Sequence, residues 1–168
     1  MLPSVEMRVW VYKVNSRRPA TAGWHFDQYF RARGRRACEM GGRDWIRSAQ
    51  SWQRLRRVGR GDLFVCYQSD ERRIYGLARA ASDGYESLAG SGRYDSVDFV
   101  APARGGALRL KNLVDARRPV FRHLRAFAVP SRGTIHALAA DEWRALLGEL
   151  VACNPEQRRS IQSFVRRR

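Results

Sequence analysis

Apolar and polar residues alternate in several short segments of this chain, a pattern typical of β-strands. The segment 7–14, MRVWVYKV, is rich in β-branched and aromatic residues and predicts the first strand. Two more apolar runs, 63–67 and 74–78, flank the polar connection 68–73 and together predict a β-hairpin. Further short strands are predicted at 97–101, 107–110, 124–129 and 134–136.

Apolar residues at helical spacing predict two amphipathic helices. The first spans 44–57, where Asp44 is a favourable N-cap. Its apolar stripe consists of Ile46, Ala49, Trp52 and Leu55. The second spans 139–151, and its apolar face, which is predicted to lie against the core, consists of Trp143, Leu146, Leu147 and Leu150.

Residues 152–168 predict a basic C-terminal helix or tail. Asn154 suits the N-cap of this helix, and Pro155 suits its first helical position. Its buried face is formed by Ile161, Phe164 and Val165. The arginines that end the segment complement the helix dipole, and they also suit contacts to phosphate.

The connections between these elements follow from glycine, serine and proline content. Residues 84–97, GYESLAGSGRYDSV, predict a flexible loop that carries Tyr85 and Tyr94. Residues 112–123 predict a helical or irregular connection broken at Pro119. Residues 15–42 show no clean period, although their aromatic residues fit a short helix or an anchored loop.

Short strands mixed with a few helices, without βαβ alternation, predict an α+β fold. In this fold a curled β-sheet forms a partly closed β-barrel flanked by helices. A length of 168 residues suits one domain with a substantial core. Because no repeat or linker divides the chain, residues 1–168 are predicted to form a single domain.

The charge of the chain points to an anionic partner. Its 32 Lys and Arg residues outnumber 16 Asp and Glu residues, so the formal net charge is +16. Such an excess is typical of proteins that meet nucleic acid or an anionic membrane. Nearly all the cations are arginines, whose planar fork of donors suits phosphate oxygens, and this favours nucleic acid. An arginine-rich composition inherited from a GC-rich genome is the alternative explanation.

The cysteines and the start of the chain favour an intracellular setting. Cys38, Cys66 and Cys153 are widely spaced and form no CxxC pair, which indicates neither a disulfide framework nor a zinc site. The start shows no signal-peptide pattern, and no run approaches the roughly 20 apolar residues of a membrane span. We expect a soluble cytoplasmic protein without a membrane partner, associated with the nucleoid if the source is prokaryotic.

The sequence holds no recognisable catalytic or cofactor motif. His25, His123 and His136 lack metal-ligand spacing. The phosphate-binding pattern GxxxxGK[ST] is absent, as are GxGxxG and GxSxG. We therefore predict a protein without enzymatic activity, metal or cofactor.

The predicted hairpin resembles the signature of the EVE domains, which are related to the PUA, YTH and ASCH domains. The resemblance rests on the turn Gly61-Asp62, on Tyr67-Gln68-Ser69 at the end of the first strand, and on Tyr75-Gly76-Leu77-Ala78 in the second. Trp45-Ile46-Arg47-Ser48 resembles the Trp-x-Val-Arg-Asn stretch of the family, with Ile for Val and Ser for Asn. The resemblance implies a PUA-like fold, and Asp62 itself is best interpreted as a turn residue.

The same resemblance implies a pocket that accepts one flipped base, a modified cytosine in DNA, between aromatic walls. The stacking walls are predicted to be Trp45 on one side and Tyr94, Tyr85 or Trp24 on the other. Ser48 and Ser69 are the predicted readers of the base edge. Each of these aromatic residues has packing in the core as its alternative role. The predicted phosphate contacts are Arg43, Arg47, Arg54, Arg56, Arg57 and Lys111.

Two other functions fit the same sequence features. An RNA-binding module of the PUA or YTH type would use the same cleft, because arginines and stacking aromatics serve both nucleic acids. A hydrolase or nuclease of the ASCH type would place polar residues in that cleft. A DNA-binding reader of a modified base is the leading interpretation, and the sequence leaves the oligomeric state open.

Overall fold

The computed structural model describes residues 7–17, 25–31, 37–41, 49–87, 94–100, 106–128 and 134–167. Its strands are β1 Val9–Val14, β2 Ala37–Gly41, β3 Leu63–Gln68, β4 Arg73–Ala80, β5 Tyr85–Ser87, β6 Tyr94–Val100, β7 Ala107–Asp115 and β8 Ile135–Ala137. Its α-helices are α1 Phe26–Arg31, α2 Ala49–Arg56, α3 Ala140–Cys153 and α4 Arg158–Arg166. Short 3₁₀ helices span Pro119–Phe121, Arg125–Phe127 and Pro155–Gln157.

The described strands form one mixed sheet. Its main path is β2-β6-β4-β3-β1-β8, with β5 paired to β6 and β7 paired to β4. Strands β1 and β3 run parallel, whereas β3 and β4 form the antiparallel hairpin that the sequence predicts. Strand β4 also pairs with β7, and its last residues, Arg79 and Ala80, pair with β6. Strand β4 thus pairs with three strands, β3, β6 and β7. Because β6 and β7 pair with different parts of β4, they diverge from each other, and the sheet curls.

The central strands are buried on both faces and separate two cores. On one face, Val9 and Val11 pack with apolar residues of α3 and α4. On the other, Trp10 and Tyr12 pack with Leu55 of α2 and with residues of α1. Helices therefore cover both sides of β1, and this explains why its residues are apolar at nearly every position.

Helix α2 closes the concave side of the curled sheet. It contacts both β6 and β8, which are separated by three strands in the sheet order. Arg54 donates a hydrogen bond from its guanidinium to the Ile135 carbonyl oxygen at 2.9 Å, and Ser51 Oγ accepts one from the Thr134 backbone N–H. The predicted partly closed barrel flanked by helices is confirmed.

Three predictions about the connections are wrong. The segment 84–97 contributes the paired strands β5 and the start of β6, because cross-strand hydrogen bonds offset its glycine and serine content. Strand β7 continues to Asp115 through part of the predicted irregular connection. The strand predicted at 124–129 holds a 3₁₀ helix, whose buried residues Ala126 and Phe127 are adjacent rather than alternating. Short apolar runs are ambiguous between strand and helix when read by period alone.

The N-cap role predicted for Asn154 is also wrong, since its side chain makes no capping hydrogen bond to the helix that follows and instead donates to the Leu150 carbonyl of α3 at 3.1 Å. Asn154 is buried, and its Oδ1 accepts from the Asn112 backbone N–H at 2.8 Å while its Nδ2 donates to the Asn112 carbonyl at 3.0 Å. Gln157 makes the same pair of contacts with the Lys111 N–H and the Arg109 carbonyl. These side-chain amides satisfy backbone groups of β7 on the side away from β4.

The C-terminal helices pack as predicted. Leu146 and Leu150 of α3 are buried, and Trp143 and Leu147 pack against the same core. In α4, Ile161 and Phe164 are buried and Val165 packs beside them. Among the described residues, no helix has both the length and the apolar character needed to cross a membrane.

Candidate nucleic-acid interface

The Gly-Asp turn before β3 has a structural role, as the sequence predicts for Asp62. This side chain is 3% exposed. One carboxylate oxygen accepts from the Arg8 backbone N–H at 3.0 Å, and the other accepts from Trp10 Nε1 and the Gly59 N–H, both at 2.9 Å. Gly61 has a φ of 88°, a backbone conformation that favours glycine. The turn therefore joins the start of β1 to the start of β3.

Gly76 of the hairpin signature is required by close packing. A Cβ at this position would lie 2.2 Å from the Leu108 carbonyl oxygen and 2.6 Å from the Phe30 ring. Glycine lets β7 and α1 approach β4 directly. Much of the resemblance to EVE domains thus rests on residues that build the barrel rather than on residues that touch a ligand.

The hairpin has two ends, which we call the loop end and the turn end. The loop end is the connection Ser69–Arg72 between β3 and β4, and the turn end is Val58–Asp62 with residues 81–85 beside it. Six residues of β3 separate them, which at about 3.3 Å per residue is a distance of about 20 Å.

The described candidates for the base pocket lie at opposite ends of the hairpin. Ser69 lies at the loop end, where its Oγ donates to the Val14 carbonyl at 3.0 Å. Tyr85 lies at the turn end, since it follows Gly84, whose N–H bonds the Val58 carbonyl, and its hydroxyl donates to Asp98. Tyr94 begins β6 and pairs in register with Ser87. The structure does not bring Ser69 and Tyr85 together, because the two strands of a hairpin end on opposite sides.

The phosphate candidates divide in a similar way. Arg54 is held by the Ile135 carbonyl, whereas Arg56 and Arg57 are exposed at the C-terminal end of α2, near the turn end. Lys111 lies on β7 and forms an ion pair with Glu156 at 3.1 Å, beside the C-terminal helices. Because α2 packs on the opposite core from α3 and α4, Lys111 does not share a surface with these arginines.

Five predicted site residues lie outside the described residues. These are Trp24, Arg43, Trp45, Arg47 and Ser48. The chain adjoining two of them is nevertheless described. His25, which follows Trp24, lies at the loop end, where it contacts Glu71. Helix α2, whose first residue follows Ser48, begins beside Thr134, and the Thr134 carbonyl bonds the Lys13 N–H near Val14.

A polar cluster that the sequence analysis missed occupies the loop end. We call it the His25 cluster, and it consists of His25, Asp27, Glu71 and Tyr75. The Tyr75 hydroxyl donates to Glu71 Oε2 at 2.5 Å, and His25 Nε2 lies 2.7 Å from Glu71 Oε1. The Asp27 backbone N–H donates to His25 Nδ1 at 3.0 Å, which places the ring hydrogen on Nε2, where it faces Glu71. The His25 and Tyr75 rings meet edge to face at 4.9 Å.

The environment of the His25 cluster favours hydrogen bonding. Burial, the hydrogen bond to Glu71 and the Glu71 charge all raise the pKa of Tyr75 well above its usual value, so its hydroxyl remains a donor. The Glu71 side chain is 39% exposed, and among the described residues His25 contacts one of its oxygens and Tyr75 the other. A carboxylate accepts about four hydrogen bonds, so Glu71 keeps acceptor capacity toward solvent. Glu71 and Tyr75 lie 46 and 50 positions from His25 in the sequence, and no local motif marks the cluster.

The neighbouring Gln68 and Asp70 hold the loop end in place. Gln68 is buried, and its amide accepts from the Phe26 N–H and donates to Asp70 at 2.6 Å. Burial alone would raise the pKa of Asp70, but hydrogen bonds from Ser16 and Gln68 outweigh it and lower that pKa. The described residues contain no group of three or more His, Cys, Asp or Glu side chains arranged to hold a metal ion.

Replacing Tyr75 with Phe tests whether the hydrogen bonds of the His25 cluster stabilise the fold. We expect the free energy of unfolding to fall by about 1–2 kcal/mol, because a hydrogen bond to a carboxylate is lost while the ring packing remains. Urea denaturation followed by tryptophan fluorescence measures the change. An unchanged unfolding midpoint would show that the Tyr75 to Glu71 bond contributes nothing.

No family model matches the sequence, and no curated protein matches it either. Solved structures do share the fold. Rpa0253 from Rhodopseudomonas palustris aligns with a TM-score of 0.60 at 23% identity, covering 82% of this chain and 89% of that one. The DUF55 domain of human thymocyte nuclear protein 1 aligns with a TM-score of 0.61 at 15% identity, covering 84% and 98%.

A further neighbour was solved with a nucleic acid. Human THYN1 in complex with DNA containing 5-methylcytosine aligns with a TM-score of 0.62 at 15% identity, covering 85% of this chain and 97% of that one. At such identities the comparison shows the fold. The predicted α+β architecture, a curled sheet flanked by helices, is therefore confirmed, and the structures that share it include a DUF55 domain.

Proposed function

We propose that this protein binds nucleic acid and reads a modified base, with modified cytosine in DNA as its preferred target. The observation that carries the proposal is the fold shared with human THYN1, whose structure contains DNA with 5-methylcytosine. The formal net charge of +16 supports it, because a cationic protein gains affinity for polyphosphate by releasing counterions. In this proposal the protein acts in the cytoplasm, beside the nucleoid in a prokaryote, and catalyses no covalent step.

The loop end of the hairpin is the proposed position for base reading. Chain segments that lead toward Trp24 and Ser48 adjoin it, and Ser69 lies there. A flipped base costs a few kcal/mol to extrude, and aromatic stacking returns about 1–3 kcal/mol per base. Trp45 and Trp24 are the proposed walls. Tyr85, at the turn end, lies outside the pocket that we propose.

The His25 cluster supplies the proposed chemistry of recognition. A carboxylate is the natural acceptor for the exocyclic amine of cytosine. The Glu71 side chain is partly exposed, and Tyr75 and His25 fix its orientation through hydrogen bonds of 2.5 and 2.7 Å. A carboxylate fixed in this way loses little rotamer freedom when a base binds, and this favours recognition of one particular base.

Binding to matched duplexes tests the proposed function. We expect tighter binding to a duplex with one 5-methylcytosine than to the same duplex with cytosine, by about tenfold or more, since one methyl group in an apolar pocket gives 10–200-fold discrimination. Fluorescence anisotropy with labelled duplexes measures both affinities. Equal affinities would contradict modified-base reading, and tighter binding to an RNA of the same sequence would support the RNA-binding alternative.

Two conservative variants test where the base is read. We expect Glu71→Gln to lower the affinity for the methylated duplex by about tenfold, because an amide NH₂ then opposes the cytosine amine. Tyr85→Phe is the matched control at the turn end and should leave this affinity unchanged. If Tyr85→Phe lowers the affinity and Glu71→Gln does not, the base is read at the turn end.

A further inference from the structure

A basic groove runs along the outward side of α4. It has a volume of about 570 Å³ and lies between α4 and the start of β7. An adjoining depression of about 420 Å³ extends it toward Gln162 and Arg166. We call both together the α4 groove. Its described lining consists of Ala107, Leu108, Arg159, Ser160, Gln162, Ser163, Phe164, Arg166 and Arg167.

Arg79 fixes α4 against the hairpin and so sets the shape of this groove. Its guanidinium donates to the Phe164 carbonyl and to the Gly61 carbonyl, both at 2.6 Å. It also lies 5.5 Å from the centre of the Phe164 ring. Because Ile161 and Phe164 are buried in the core below, the opposite side of α4 has a fixed orientation toward solvent.

The groove carries positive charge without described counter-charges. Arg159, Arg166 and Arg167 are exposed, and within the described part of the chain no carboxylate lies within ion-pair distance of them. None of the described lining residues is acidic. Elsewhere on the surface, Arg117 and Arg118 pair with Asp115 and Glu149. Burial lowers the pKa of Arg79, and the nearby charge of Arg167 lowers it further.

Helix stability does not account for this arrangement. Arg166 and Arg167 lie at the C-terminal end of α4, where cations complement the helix dipole. Arg159, however, lies in the first turn beside Arg158, where positive charge opposes the dipole. Uncompensated cations at both ends of one short helix are better explained by an anionic ligand.

We propose that the α4 groove binds the sugar-phosphate backbone of duplex DNA, as a second contact surface distinct from the arginines of α2. This inference rests on the proposed function. From Arg159 to Arg166 the helix rises about 10 Å, which corresponds to about three phosphates along one strand. Ser160 and Ser163 supply hydroxyl donors to phosphate, and Leu108 and Phe164 give the groove apolar walls suited to deoxyribose.

Charge-matched triple variants test this inference. In the groove variant, Arg159, Arg166 and Arg167 are each replaced by Gln. In the control, the replaced arginines are Arg122, Arg125 and Arg144, which are also exposed and do not line the groove. Both variants lower the formal charge of +16 by three. Glutamine has a helix propensity close to that of arginine, so both should fold.

Affinity for an unmodified duplex is then measured by fluorescence anisotropy across a salt series. Each lost phosphate contact removes about 0.9 from the slope of log K against log salt, or about eightfold in affinity at 0.1 M salt. We expect the groove variant to bind on the order of 10²-fold more weakly, with a slope flatter by about two to three. The control should stay within a few-fold of the parent. Circular dichroism checks that both variants are folded.

The outcomes separate this inference from the proposed function. If the parent prefers methylated DNA but the groove variant binds like the control, the groove proposal is overturned and base reading stands. If the parent binds no DNA, both fail. Sedimentation with phosphatidylserine vesicles tests whether the groove binds an anionic membrane instead of DNA. Loss of vesicle binding without loss of DNA binding would assign the groove to membranes and overturn the proposal.

Discussion

Replacement of Asp62 by alanine is expected to lower the free energy of unfolding by about 3–5 kcal/mol. The substitution leaves the Arg8 and Gly59 backbone N–H groups and Trp10 Nε1 without their acceptor. An unsatisfied buried donor such as Trp10 Nε1 costs about 1–3 kcal/mol, and the two partly buried N–H groups add smaller costs because water can reach them. The fall is measured by urea denaturation.

Asp83→Ala is the matched control on the same side of the barrel. Asp83 is exposed and accepts a hydrogen bond from the Arg60 N–H at 2.8 Å. We expect this variant to lose less than about 1 kcal/mol. A similar loss of stability in both variants would mean that the Asp62 hydrogen bonds contribute no more than a surface contact does. The turn would then not hold the start of β1 against the start of β3.

The hairpin could be predicted from the sequence because its signals are local. Two apolar runs and a Gly-Asp turn place β3 and β4 to within two residues of their observed bounds. The failures involve contacts between distant residues. The pairing of β5 with β6 turns a glycine- and serine-rich segment into strands, and Asn154 bonds Asn112, 42 residues away, instead of capping the helix that follows it. Neither interaction leaves a periodic signal in the sequence.

The candidate site was less predictable than the fold, for a geometric reason. Ser69 follows the first strand of the hairpin and Tyr85 follows the second, so the hairpin itself implies that they lie at opposite ends. The separation of these two residues could therefore have been predicted from the sequence. The His25 cluster could not be predicted in this way, because proximity of His25 to Glu71 and Tyr75 depends on how α1 packs against β4. Arg54 was likewise an expected phosphate contact, yet a backbone carbonyl of β8 holds its guanidinium.

Gly76→Ala is expected to have the second largest effect on stability, a loss of about 2–4 kcal/mol. The added methyl would meet the Leu108 carbonyl oxygen at 2.2 Å and the Phe30 ring at 2.6 Å. Phe30 can turn aside, but the Leu108 carbonyl belongs to the backbone of β7, so the β4–β7 pairing must shift. Because β7 carries the contacts to Asn154 and Gln157, the shift would also loosen the C-terminal helices.

Gly148→Ala is the same substitution in open space and should act in the opposite direction. Gly148 lies within α3, and a Cβ there would meet nothing within 4 Å. Alanine in an exposed helix interior stabilises by about 0.5–1 kcal/mol relative to glycine. Thermal unfolding monitored by circular dichroism compares the two variants with the parent. If both variants shift the midpoint in the same direction, the flexibility of the glycine backbone governs both positions. The requirement for glycine at position 76 would then not come from the close approach of β7 to β4.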